Sequence, residues 1–316
     1  MTSLGAIGFV LLISLSGPLY PQNPPEQAKP YTIALDVDQV ALDVSVLNKK
    51  GGFVSGLEKE HFRIYDNGRL QEIEYFAHED VPVTIGVVVD ASGSMAPKRA
   101  EVISAALAFI QASNPDDEMF LIYFNNDVSA GLEPEQKFTN KLPVLREALL
   151  RLTCVGQTAL YDAVGGALDH LQEGRYDKKA LLVISDGADN ASRRKLNDVL
   201  EMTRRSKAVI YTISLYDEEN TDRNGKILGT LSKTSGGEFF SPSSVSEIVE
   251  LCRRIAKDIR NLYTISYKPS TGSRDGSYHS IKVEVRAPRQ ERLIVRSREG
   301  YFSPAPPAPS EDSRCQ

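Results

Sequence analysis

The stretch Val83-Thr84-Ile85-Gly86-Val87-Val88-Val89-Asp90-Ala91-Ser92-Gly93-Ser94 decides the fold. Its first seven residues form a nearly continuous apolar run, as expected of a strand covered on both faces. The same kind of run recurs at residues 118–124, 180–184 and 208–213. Between these runs the apolar spacing changes to a helical period, first over residues 98–112, with Ile103, Leu107 and Ile110 on one face. Further helices are indicated at 141–152, 159–173, 193–206 and 245–259. Strands alternating with helices predict an α/β domain over residues 81–260, a Rossmann-like, doubly wound and mostly parallel sheet.

Outward from this centre the pattern becomes β-like on both sides. Residues 40–46 alternate, Asp66-Asn67-Gly68 carries a hairpin signal, and residues 72–76 return as a strand. Beyond residue 260, residues 262–267, 280–285 and 292–296 read as strands. Neither flank is long enough to bury a core alone. The expectation is one smaller β-sandwich-like domain, formed by residues 31–80 pairing with 261–303, into which the α/β domain is inserted. Residues 304–316 read as a disordered tail.

Composition narrows the function classes. The chain has 316 residues, 41% hydrophobic and 25% charged, with a formal net charge of -5. No basic excess exists to neutralise phosphates, so a nucleic-acid partner is not expected. Three cysteines, Cys154, Cys252 and Cys315, show no CxxC spacing, which excludes a cysteine-based zinc site. Cys252 reads as a small buried apolar residue on an amphipathic helix. Residues 4–15 form an uncharged apolar run with the length of a signal-peptide core. Residues 1–17 are therefore expected to direct export, with an uncleaved amino-terminal anchor as the alternative and sole membrane contact. Residues 18–30 form a Pro-rich spacer. The location expected is periplasmic, envelope or secreted.

Three loops at the carboxyl ends of the central strands hold the informative chemistry, where open α/β sheets place their ligands. The first is Asp90-Ala91-Ser92-Gly93-Ser94. It offers one carboxylate and two hydroxyls, hard oxygen donors that suit Mg²⁺, Mn²⁺ or Ca²⁺. The second, opening with Gly156-Gln157-Thr158, puts Thr158 where a helix N-cap would lie. The third is Ser185-Asp186-Gly187. Nearby, Asn125-Asn126-Asp127 reads as a β-turn, Asp162 as a group that orients Thr158 or favours the first helical turn, and Asp189 and Asn190 as caps of the following helix. The four histidines lie in separate elements.

Taken together, these loops resemble the metal-ion-dependent adhesion site of von Willebrand factor A domains, and residues 81–260 resemble that family in element order. The resemblance implies that Asp90, Ser92, Ser94, Thr158 and Asp186 surround one divalent cation, Mg²⁺ by preference. Over nearly the full chain, including the ending Gly300-Tyr301-Phe302, the sequence is similar to the von Willebrand factor A-related proteins abundant in Acidobacteria. A cation held by two carboxylates and neutral oxygens keeps a coordination position open for an Asp or Glu of a protein partner. The expected role is thus cell adhesion or protein binding, not catalysis. Hydrolysis would need a general base or second metal, and Ser92 lacks the Gly-x-Ser-x-Gly elbow. A metal-assisted hydrolase and a structural assembly module whose metal only orders loops are the alternatives.

Overall fold

The structure, a computed structural model, describes residues 39–215, 225–270, 275–286 and 292–304. The expected leader, the spacer and the tail beyond residue 304 lie outside the described residues. The first flank supplies β1 (Val40–Leu47), β2 (Phe62–Asp66), β3 (Arg69–Gln71) and β4 (Ile73–Ala77). Asn67 and Gly68, with φ of 47° and 78°, form the tight turn between β2 and β3, which the Asn-Gly pair favours.

The α/β domain follows. Its strands are β5 (Thr84–Asp90), β6 (Glu118–Phe124), β7 (Val128–Ala130), β8 (Lys179–Ser185), β9 (Val209–Ser214) and β10 (Phe239–Phe240). Its helices are α1 (Arg99–Ala112), α2 (Leu142–Leu150), α3 (Leu160–Leu171), α4 (Leu196–Arg205), α5 (Gly225–Ser235) and α6 (Val245–Arg260). The sheet runs β10-β9-β8-β5-β6-β7, parallel except for the edge strand β7. Every residue of β5 and of β9 is buried, which explains their unbroken apolar runs. Each fully buried Val or Ile contributes about 1.5–3 kcal/mol, so this sheet anchors the core. Helix α1 packs against α6, and α4 against α3 and α5. Cys252 of α6 is fully buried in this core, as a small apolar side chain.

Helix α5 is absent from the sequence expectation. Its inward residues include Ser232 and Ser235 beside Leu228 and Leu231, so the apolar stripe is interrupted. The serines are satisfied by the sheet: the Ser232 hydroxyl meets Thr212 Oγ1 at 2.8 Å, and Ser235 Oγ accepts from the Ile210 amide at 2.8 Å.

The second flank supplies β11 (Tyr263–Tyr267), β12 (Tyr278–Val285), β13 (Ile294–Arg296) and β14 (Gly300–Phe302). Two antiparallel four-stranded sheets result, β13-β1-β11-β4 and β14-β12-β2-β3, each mixing strands of both flanks. Leu42 faces Ile265 across β1–β11, and Ile64 faces Val283 across β2–β12. Their apolar faces share one core with Val44, Tyr263 and Tyr267. The α/β domain leaves after β4 and returns at β11, two adjacent strands. Its ends are therefore close, and Asp80 and Arg260 form an ion pair there.

Buried polar groups tie the parts together. Asp258 of α6 accepts from Ser45 of β1 at 2.7 Å and from the Tyr211 hydroxyl of β9 at 2.8 Å. Within the sandwich, Asp66 takes Tyr267 and Tyr301 at 2.9 Å each and His279 Nδ1 at 2.8 Å.

Candidate functional site

Strand order reverses at the centre of the sheet. The chain leaves β5 toward β6, then crosses back to place β8 on the other side of β5. Such a switch opens a crevice at the carboxyl ends of the two central strands. Asp90 ends β5, Ser185 ends β8, and Asp186 follows at once.

Asp90 is wholly buried. Its Oδ1 accepts from the Ser92 amide at 2.9 Å and its Oδ2 from Ser185 Oγ at 2.6 Å. Burial pushes its carboxyl up to about 6, against the pull of the Ser185 and Ser92 bonds and with a smaller upward push from Asp186. Ser92 Oγ and Ser94 Oγ lie 3.0 Å apart, and Ser94 Oγ donates to Asp186 Oδ2 at 2.7 Å. The Asp186 side chain is also held from behind, since its Oδ1 accepts from the Ala188 amide at 3.1 Å. Asp90, Ser92, Ser94 and Asp186 are thus one connected set of oxygens.

Thr158 arrives on the second loop. The Gly93 amide donates to the Gly156 carbonyl at 3.0 Å, and the Ala159 amide to that of Asn125 at 2.8 Å. Gly156 sits at φ 82°, and a Cβ there would lie 2.0 Å from Asn126 Oδ1, so only glycine allows this approach. Helix α3 begins at Leu160 with Ala159 at its N-cap. The N-cap position read for Thr158 therefore falls one residue on, at Ala159, which makes no side-chain capping bond.

Three further residues hold the loops, and two of them, Asn190 and Asp189, differ from the sequence expectation, while Asp162 lies in the first turn of α3 as one of its two readings had it. Asn190 does not cap the next helix. Its Oδ1 accepts from the Thr158 amide at 2.8 Å, and its own amide donates to the Thr158 carbonyl at 2.9 Å. Asp189 accepts from the Tyr161 amide at 3.1 Å, in the first turn of α3. Asp162 accepts from the Arg193 and Arg194 amides, both at 2.9 Å, instead of orienting Thr158. Asn125-Asn126-Asp127 is the turn between β6 and β7, with the Asn125 amide donating to the Asp127 carbonyl at 3.0 Å. Sequence reading missed that side chains from β8's exit loop would latch a loop some thirty residues earlier.

Among the described residues no group of three or more His, Cys, Asp or Glu side chains could hold a metal. The five-residue set has only two carboxylates and depends on hydroxyls. Hard oxygens of this kind could hold a hard divalent cation but not a soft one. The histidines are engaged elsewhere: His61 with the Glu58 amide, His78 stacked on Tyr263, His170 against Phe120 and His279 on Asp66.

A parallel sheet with this crevice and this hydroxyl-rich loop set defines the class of protein. Residues 85–188 match the von Willebrand factor type A domain family, so the central domain is of that type. No curated protein sequence matches the chain. Among solved structures, a von Willebrand factor type A protein from Catenulispora acidiphila is 11% identical with a TM-score of 0.49, over 87% of this chain and 76% of that one. The vWF domain of the type V pili tip protein Mfa5 from Porphyromonas gingivalis is 14% identical with a TM-score of 0.49, over 57% and 95%. The conserved hypothetical protein BatB from Bacteroides thetaiotaomicron is 16% identical with a TM-score of 0.44, over 56% and 98%. Likeness at these identities concerns the fold alone. Among the described residues no helix is long and apolar enough to cross a membrane.

Proposed function

We propose that the protein is an exported, divalent-cation-dependent binding module whose partner presents an Asp or Glu carboxylate. The observation that carries this reading is the convergence of the Asp90, Ser92, Ser94 and Asp186 oxygens at one crevice, with the Thr158 loop bonded beside them. Oxygens about 3 Å apart are what neighbouring ligands of a small octahedral ion show, given metal–oxygen distances of about 2.1 Å. Ser92 and Ser94, at 3.0 Å, and Ser94 and Asp186, at 2.7 Å, come near this spacing. Asp90, held by Ser185, would balance charge from beneath. A bound Mg²⁺, Mn²⁺ or Ca²⁺ would supply a Lewis-acidic position for the partner's carboxylate. The chain's own residues would orient that ion and leave the crevice side open.

A purely structural ion is the lesser reading. The loops are already latched by Asn190, Asp189 and Asp162 through protein hydrogen bonds, so no cation is needed to order them. Hydrolysis is less favoured because each histidine is committed elsewhere, which leaves Ser92 and Ser94 without a neighbouring imidazole base.

Titration calorimetry with Mg²⁺ and Mn²⁺ tests the first half of the reading. Saturable binding should be lost in Asp90→Ala while the circular dichroism spectrum is kept. A protein that binds neither ion, or a variant that binds as well as the parent, would sink it. Capture of envelope proteins on the immobilised chain, with Mg²⁺ and then with EDTA, tests the second half. Turnover of generic ester or phosphate substrates that Asp90→Ala abolished would favour the hydrolase instead.

A further inference from the structure

A second feature lies away from the crevice. The end of α5 and strands β12 and β13 line a cleft of 480 Å³, a size suited to a small molecule. Four cationic side chains, Lys233, Lys282, Arg296 and Arg298, face two carboxylates, Glu238 and Glu299, around it. Lys233 and Lys282 are exposed and pair with Glu299 at 3.0 Å and Glu284 at 2.8 Å. The arginines differ.

The Arg296 side chain is only 15% exposed. Its Nη1 donates to the Glu238 carboxylate, which also takes Arg254 at 3.2 Å. Its Nε and Nη2 are buried and have no acceptor among the described residues. These two groups form the side-on fork of a guanidinium, the edge that grips an oxyanion with two parallel bonds. Arg298 also has a buried Nε without an acceptor among the described residues, and its guanidinium lies 5.6 Å over the Tyr301 ring. Burial pulls the Arg298 guanidinium below its ordinary range, the mark of a charge without full compensation. Buried donors left unmade are costly, and charged ones more so. Gly236, at φ 89°, lets the exit turn of α5 lie against this segment: a Cβ there would stand 2.5 Å from the Arg298 amide nitrogen.

We infer that this cleft binds the oxyanion of a small molecule, a carboxylate or a phosphate group, on the Nε–Nη2 fork of Arg296 with Arg298 as a second donor. The site is independent of the Asp90 crevice and does not rest on its cation.

Titration calorimetry on the full chain, with inorganic phosphate and with succinate as probes, tests the inference. EDTA in the buffer removes any contribution of a cation. Single-site binding of at least one probe is expected. Phosphate alone would assign a phosphoryl ligand, succinate alone a carboxylate, and either supports the site. Arg296→Lys keeps the charge but removes the fork, and it should weaken binding by about tenfold or more. Arg298→Gln leaves the Glu238 pair intact and should weaken binding similarly, which keeps the test decisive if the first variant misfolds. Absence of saturable binding by the parent protein would overturn the inference. So would parental affinity in the folded variants.

Discussion

At the residue scale, Asn190 shows how one side chain outside the proposed ligand set can govern it. Its side-chain Oδ1 accepts from the Thr158 amide, and its backbone amide donates to the Thr158 carbonyl, a bond that a substitution leaves in place. Asn190→Ala should cost about 1 kcal/mol of stability and lower cation affinity about tenfold, the usual effect of losing a group that orients a ligand. Urea denaturation and calorimetry measure the two effects, and unchanged affinity would show that the Thr158 loop is not part of the site. Asp66 is the corresponding residue of the sandwich. It is buried and accepts from Tyr267, Tyr301 and His279, so Asp66→Ala removes the shared acceptor of three groups and leaves only the longer Tyr301–His279 contact of 3.3 Å. The expected loss is about 3 kcal/mol or more, seen as a lowered urea midpoint. In the sequence Asp66 reads as part of a hairpin turn and Asn190 as a helix cap, because what makes them matter is a partner far along the chain.

At the element scale, the start of β5 is tied to the turn after α1. The Val83 and Asn114 amides donate to the two oxygens of Asp117 at 2.8 and 2.9 Å. Burial nonetheless holds the Asp117 carboxyl up, from an ordinary 3.8 to about 6. A raised folded value means that the native state keeps a proton which the unfolded chain has released. The stabilisation is therefore complete below the unfolded value and lost as pH rises through about 6. The margin of the parent protein over Asp117→Asn in urea should shrink between about pH 4 and pH 6. A margin that widened with pH would contradict this. Elements also differ in how openly they announce themselves. β5, β6, β8 and β9 are legible because helices cover both faces and leave no polar alternation. α5 is hidden because Ser232 and Ser235 face inward and are satisfied by Thr212 and Ile210 across the sheet. β7 and β10, three and two residues long, carry too few side chains to show a period.

At the scale of the whole molecule, the α/β domain is an insertion between two adjacent strands of a sandwich. Its core is large and self-contained, whereas β1 is flanked on both sides by strands from the other end of the chain, β11 and β13. A fragment of residues 81–260 should give a dispersed NMR spectrum on its own, and a fragment of residues 1–80 should not. A folded amino-terminal fragment would show that the flanks do not depend on each other. Periodicity sufficed for the α/β class and for the paired flanks, because strand and helix geometry set side-chain spacing locally at two and 3.6 residues. Spacing also put Asp90, Ser92 and Ser94 together, since all three belong to one turn. Only the tertiary structure brought Asp186 to Ser94, Asn190 to Thr158, Asp258 to Ser45 and Arg296 to Glu238. Those partners lie from about thirty to more than two hundred residues apart, and no local pattern records a meeting that exists only once the sheets have packed.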